Sequence, residues 1–218
     1  MTTASRRPPT AQEFVLGELR RMIVSGDLRA GEQIKQDALA DQLGTSRVPL
    51  REALKILEGE GLVAYLPHRG YFVAELSADD LVEVYRIRQL LEDEAVAVAI
   101  PKLTDAALQA LETAMQAVEA AGEAGDINAI TAANRQFHFL LIEAAGLPRL
   151  TRLIRQLWDA TDAYRSVYFA EPVNRIQVER EHRQIMDALK ERDIPRTIAL
   201  LNTHRDHAVK RVSKVLAP

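Results

Sequence analysis

Only one stretch of this chain has the texture of β-structure. Residues 62–66 (LVAYL) and 71–76 (YFVAEL) are β-branched and aromatic, and PHRG separates them. Two such runs around a turn read as a hairpin, with the turn at Pro67–Gly70. Ahead of it, Val15, Leu19, Met22 and Ile23 form a helical stripe between Ala11 and Ser25, and Gly26 stops it. The segment GDLRAGEQI is turn-rich. Asp37 to Leu43 reads as a short helix with Leu39, Ala40 and Leu43 inward, ended by Gly44. Ser46 is the expected N-cap of the next helix, which runs to about Glu60 with Pro49 in its first turn. Three helices, a tight helix–Gly–helix step and a hairpin are the parts of a winged helix-turn-helix.

After Leu76 the strand signals stop. Amphipathic patterning predicts about six helices, at 78–100, 104–121, 126–145, 147–170, 173–192 and 195–216. The breaks fall at Pro101, Gly122/Gly125, Gly146/Pro148, Pro172 and Pro195, with Thr104 and Asp126 as N-caps. Short connections make neighbours antiparallel, so this half is an all-α bundle. The expected division is a winged helix at 11–76 and a helical domain at 77–218, in a mainly α chain.

Composition excludes several classes. There is no cysteine, hence no disulfide scaffold and no thiolate metal site. Ala95–Ile100 is the longest apolar run, far short of the roughly 20 residues a membrane span needs. The first ten residues hold two arginines with no apolar run behind them, and read as a short disordered arm rather than a signal peptide. A cytoplasmic protein without a membrane partner is expected. Net charge is −3, and the first 76 residues carry as many acidic as basic side chains. Any affinity for nucleic acid must therefore come from local placement.

That placement exists on the helix after Ser46. Leu50, Ala53, Leu54 and Leu57 form its inward stripe, which leaves Arg51 and Lys55 on the exposed side and Arg47 at the N-terminus. In a helix-turn-helix this end enters the major groove, where the arginine fork matches guanine O6 and N7. Thr45 and Ser46 can donate to a phosphate at the helix start. Arg69 and Gly70 sit at the hairpin tip. The order of marks is specific: G-x-L-x-x-G-E at Gly26–Glu32, Leu39-Ala40, SR-x-P-x-REAL at Ser46–Leu54, L-E-x-E-G-L at Leu57–Leu62 and P-x-x-G at Pro67–Gly70. Together they resemble the GntR family DNA-binding domain. The resemblance implies that Arg47 and Arg51 read bases, Thr45 and Ser46 fix phosphates, and the wing at Arg69-Gly70 approaches the minor groove. Thr45 stands where the family most often has valine.

The second half holds four of the five histidines. His138, His182 and His204 each lie on or beside an apolar stripe of a different predicted helix, and Asn134 is one turn before His138. Three imidazoles and an oxygen suit a divalent ion such as Zn²⁺, Ni²⁺ or Mn²⁺. Satisfied core histidines are the plainer reading of each one alone. The runs Val84–Glu92, Asn134–Leu150, Glu181–Leu189 and His204–Ala208 resemble the FCD effector domain of the FadR branch of GntR regulators. By that resemblance the metal ligands are Asn134, His138, His182 and His204, with Asn134 where relatives usually carry aspartate. The effector is then a small carboxylic or sugar acid, and Arg88 is the candidate clamp for its carboxylate. A salt bridge between Arg88 and Glu92 is the competing reading. His207 is a supporting or surface residue.

The implied whole is a homodimeric regulator, a repressor by the commoner habit of the family, on a pseudo-palindromic duplex operator. Two alternatives stay open: a metal-free acyl-CoA sensor, and a regulator that senses the metal itself. Catalysis by an open metal is not expected, because no general base accompanies the histidines.

Overall fold

The computed structural model describes residues 10–75 and 77–216. The expected N-terminal arm, apart from Thr10, and the last residue of the expected second strand, Leu76, lie outside the described residues. The chain divides into two compact units, Met1–Glu75 and Leu76–Pro218.

The first unit runs α1 (Ala11–Ser25), α2 (Gln36–Gln42), α3 (Arg47–Gly59), β1 (Val63–Leu66) and β2 (Gly70–Val73). Thr10 and Glu13 form a reciprocal capping box at the start of α1, and Gly26 closes its end in the left-handed conformation. Helices α1 and α3 pack on one another, and Val15, Leu19, Leu50, Leu54 and Leu57 are fully buried. We expect Leu54→Ala to cost about 2–5 kcal/mol through the cavity it leaves. Urea unfolding of this unit, followed by circular dichroism, measures the loss.

Two details differ from the sequence expectation. Ser46 has the extended backbone of an N-cap, but its side chain makes no capping hydrogen bond. The turn-rich segment after Gly26 also supplies an isolated bridge to the hairpin. Gln33 bridges Phe72, the Ile34 N–H donates to the Tyr71 carbonyl at 2.8 Å, and the Val73 N–H donates to the Glu32 carbonyl at 2.9 Å. These bonds satisfy the outer edge of β2, which would otherwise present open backbone groups. Periodicity could not reveal so short a piece. The hairpin itself is antiparallel, with Val63 opposite Val73 and Leu66 opposite Gly70. β2 ends at Val73, short of the expected 76.

The second unit comprises α4 (Ala78–Ala99), a 3₁₀ turn (Ile100–Lys102), α5 (Asp105–Ala124), α6 (Ile127–Ala144), α7 (Pro148–Ala160), α8 (Asp162–Ala170), α9 (Pro172–Lys190) and α10 (Ile194–Leu216). Side chains of Ser77, Thr104 and Asp126 cap α4, α5 and α6. Helix α5 packs on α6 and α9, and α4 on α10. One expected helix, 147–170, is two. Its break is at Thr161, whose hydroxyl bonds back to the carbonyls of Leu157 and Trp158. The Arg165 guanidinium takes the same Trp158 carbonyl at 2.5 Å. The Thr161 N–H also bonds to this carbonyl at 3.1 Å, so it is shared among three donors where the helical ladder stops. Gly122 lies inside α5 rather than ending it, and Gly125, at φ 68°, is the true C-cap. Phe137, Trp158, Ile185 and Leu189 lie in the main core of this unit.

Candidate nucleic-acid interface and metal centre

Helix α3 buries Leu50, Ala53, Leu54 and Leu57, and this fixes which way its other face looks. Arg47, Arg51 and Lys55 are exposed. Arg47 is ion-paired with Asp37 of α2, both highly exposed, so the pair contributes little and a stronger partner can displace it. Among the described residues neither Arg51 nor Lys55 has an ion-pair partner. At the wing tip His68 and Gly70 both adopt positive φ, 63° and 89°. That turn holds Arg69 outward, its guanidinium 5.1 Å from the centre of the Phe72 ring. Gln33, which sequence reading passed over, anchors the tip by donating to the Arg69 carbonyl at 2.5 Å.

A groove of about 810 Å³ lies between α3 and the wing. Lys35, Arg47, Arg51, Lys55 and Arg69 line it, against Asp37 and Glu58. The unit is balanced in total charge yet cationic on this one face. Such a face is where a polyanion binds. Thr45 and Ser46 sit at the N-terminal end of α3, beside the groove's Arg47.

In the second unit α6, α9 and α10 bring three histidines together. The rings of His138, His182 and His204 have centroids 5.0 to 5.3 Å apart, and one nitrogen from each lies within 4.8 Å of the others. All three are buried, His182 completely. Phe137 stacks on His182 at 4.4 Å, and Trp158 lies 5.1 Å from His138. Asn134, also buried, lines the adjoining cavity with His138 and His204.

The polar atoms here lack partners. Asn134 Oδ1, His138 Nε2 and both nitrogens of His182 are buried without a hydrogen bond. Each orphan costs about 1–3 kcal/mol, so a cluster of them is costly unless something else satisfies it. Burial first, then the neighbouring His204, lowers the pKa of His138 and of His182 well below the ordinary value. Both are therefore neutral imidazoles at pH 7, the form that ligates metals. The donor set and its orphaned atoms fit a divalent ion.

Glu181, not singled out from the sequence as a functional residue, stands behind this cluster. Its carboxylate accepts from His204 Nδ1 at 2.7 Å and from His207 Nδ1 at 2.5 Å. Burial opposes its charge, but the bonds from His204, Gln177 and His207 hold its pKa down to about 2.

Arg88 forms the salt bridge that was the competing reading of it. It pairs with Glu92 at 2.8 Å and also lines the cavity beside the histidines. Its guanidinium lies 4.1 Å from the Trp158 ring centre and donates to Thr161 Oγ1 at 3.2 Å. Two further arginines, Arg165 and Arg205, line the same cavity and went unnoticed in sequence. Nothing in helical periodicity marks an arginine as inward-facing. Each has a buried Nε without a partner. Glu92 binds Arg88, Arg205 and the Trp158 indole together. Glu92→Gln should therefore destabilise this unit by about 3–5 kcal/mol, because the buried Arg88 loses its charge partner and Arg205 keeps only Asp93. Thermal unfolding of the variant measures this.

Comparison with known proteins places this arrangement. Residues 11–73 match the family "Bacterial regulatory proteins, gntR family", and residues 83–207 match the FCD domain. The chain is 30% identical over 200 residues to the HTH-type transcriptional regulator YdhC of Bacillus subtilis, covering 91% of this chain and 89% of that one. It is 34% identical over 144 residues to the HTH-type transcriptional regulator McbR of Escherichia coli, covering 66% of this chain and 65% of that one. The solved structure of E. coli McbR/YncC superposes with a TM-score of 0.85 at 26% identity, over 96% of this chain and all of that one. The winged helix and helical bundle thus define a DNA-binding transcriptional regulator. The chain belongs to the gntR family of bacterial regulators and carries an FCD domain. No helix among the described residues is long and apolar enough to cross a membrane.

Proposed function

We propose that this protein is a cytoplasmic, homodimeric repressor whose operator affinity is set by a small carboxylic or sugar acid. The acid binds beside a divalent ion held by Asn134, His138, His182 and His204. The observation that carries this reading is the set of orphaned buried donors, Asn134 Oδ1 and the imidazole nitrogens, beside a cavity rimmed by three arginines. An ion would take one nitrogen of each imidazole, and an anion would satisfy the unpaired Nε atoms of Arg165 and Arg205. When bound, the ion supplies a positive charge with open positions for a carboxylate. Arg88, Arg165 and Arg205 orient that carboxylate and keep it from exchanging freely with water.

The cavity measures only about 30 Å³, room for an ion or one or two waters. A multi-carbon acid enters only if lining side chains move, and such movement is what a sensor transmits. The size weighs against an acyl-CoA ligand. It also lends support to a second reading, in which the ion itself is the signal. Recognition of a two-fold operator uses α3 of each protomer in the major groove, with Arg47 and Arg51 on bases and Thr45, Ser46, Lys55 and the Arg69-Gly70 wing on the backbone and minor groove. Leu90, 70% exposed on α4, is apolar surface of the kind a second protomer covers. Ligand and operator are coupled by about 1–3 kcal/mol.

The test is thermal denaturation against a panel of small carboxylates, sugar acids and CoA esters, before and after chelation. The expected result is stabilisation by one acid that chelation removes and Zn²⁺ or Ni²⁺ restores. Stabilisation by the ion alone, with no response to any acid, supports the metal sensor. Indifference to both overturns the reading of this site and leaves the DNA-binding unit untouched.

A further inference from the structure

Glu181 is a buried carboxylate with an unusual set of partners. It is 5% exposed, and it bonds to His204, His207 and Gln177. Among the described residues no lysine or arginine pairs with it. Every other buried carboxylate near the cavity has a guanidinium: Glu92 has Arg88 and Arg205, and Asp159 has Arg135. Its ion-pair partners are instead two imidazoles, His204 at 2.7 Å and His207 at 2.5 Å, which carry charge only when protonated.

We propose that Glu181 is a positioning residue for the metal, and that when His204 is a neutral ligand the ion bound to it becomes the counter-charge of this carboxylate. The inference rests on the metal reading given above. The geometry supports it in two ways. First, the 2.7 Å contact at Nδ1 makes that nitrogen the donor, which leaves His204 Nε2 with a lone pair for the ion. No carboxylate performs this task for His138 or His182 among the described residues. Second, the sequence has neutral Asn134 where an aspartate would give the ion a negative ligand. Glu181 returns that charge one imidazole further out. The carboxylate's second oxygen, held by His207 and Gln177, keeps the group from turning away.

A merely structural role and this one are separated by metal affinity. If Glu181 only braces the bundle, Glu181→Gln lowers the melting temperature without metal and leaves affinity unchanged. If Glu181 serves the ion, the loss appears in metal binding beyond any change in metal-free stability. The variant then loses metal affinity by about 10–100-fold. The measurement is Zn²⁺ and Ni²⁺ affinity by competition with a chromophoric chelator, alongside metal-free melting, for the full-length wild type, Glu181→Gln and the double variant Glu181→Gln/Asn134→Asp. Recovery of affinity in the double variant completes the expected pattern. Wild-type affinity in Glu181→Gln overturns the proposal and leaves the histidine site standing. A lowered metal-free melting temperature with unchanged affinity assigns the residue to structure. Absence of metal binding by the wild type overturns both this inference and the site reading beneath it.

Discussion

His182→Leu is expected to raise the stability of the metal-free protein and to abolish its stabilisation by divalent metal. His182 is fully buried, and neither ring nitrogen has a hydrogen bond. Leucine is of similar bulk and fills the place beside Phe137, whose ring stacks on the imidazole at 4.4 Å. Removing two unsatisfied polar atoms from such a site returns about 1–3 kcal/mol. The cost falls on function. Saturating metal at a thousand times its dissociation constant stabilises a folded protein by about 4 kcal/mol, and the variant forfeits that shift with one of three imidazoles gone. Differential scanning fluorimetry of both proteins, with chelator and with Zn²⁺, reads both effects. A variant less stable than the wild type without metal, yet still stabilised by Zn²⁺, would mean that His182 is an ordinary core residue. Residues kept at a local cost to stability are the mark of a site.

The second large effect is on DNA. Arg51→Ala should weaken operator binding while leaving the fold intact. Arg51 is exposed on α3, lines the cationic groove and has no ion-pair partner among the described residues. Little in the unbound protein is therefore lost with it. A bidentate contact to guanine is worth about 1–3 kcal/mol, or roughly 5- to 150-fold, and the proposed dimer would lose two. Lys55→Ala is the control. A phosphate contact should weaken binding to all sequences alike and reduce the salt dependence by about one charge. Fluorescence anisotropy on a duplex selected from a random library by the wild type, at two salt concentrations, separates them. Equal loss on selected and scrambled duplexes for Arg51→Ala would make it a backbone contact instead.

The winged helix was legible because its signals are local. Gly26 and the inward stripe of α3 are encoded within a few residues of where they act. The turn at Pro67–Gly70 follows the same rule. The bridge at Gln33 escaped notice because a single bridge has no period to detect. The break at Thr161 escaped notice for a different reason. A threonine in a helical pattern looks ordinary until an arginine four residues on takes the carbonyl before it.

Among the described residues, the sequence by itself determined the helix count to within one, the exposed face of α3 and the identity of three histidines on separate apolar stripes. Periodicity is a property of one helix, so it says which residues turn inward. It cannot say what they meet there. Only the packing of α6, α9 and α10 decided that the histidines meet one another. Only the packing of α4, α8 and α10 decided that Arg88, Arg165 and Arg205 rim the same small cavity. The balanced charge of the first unit likewise concealed a cationic groove, because a count has no geometry. Glu181 shows the limit most plainly. Beside His182 in the chain it looks like one more surface acid, and its bonds to His204 and His207 arise only when α9 and α10 lie side by side.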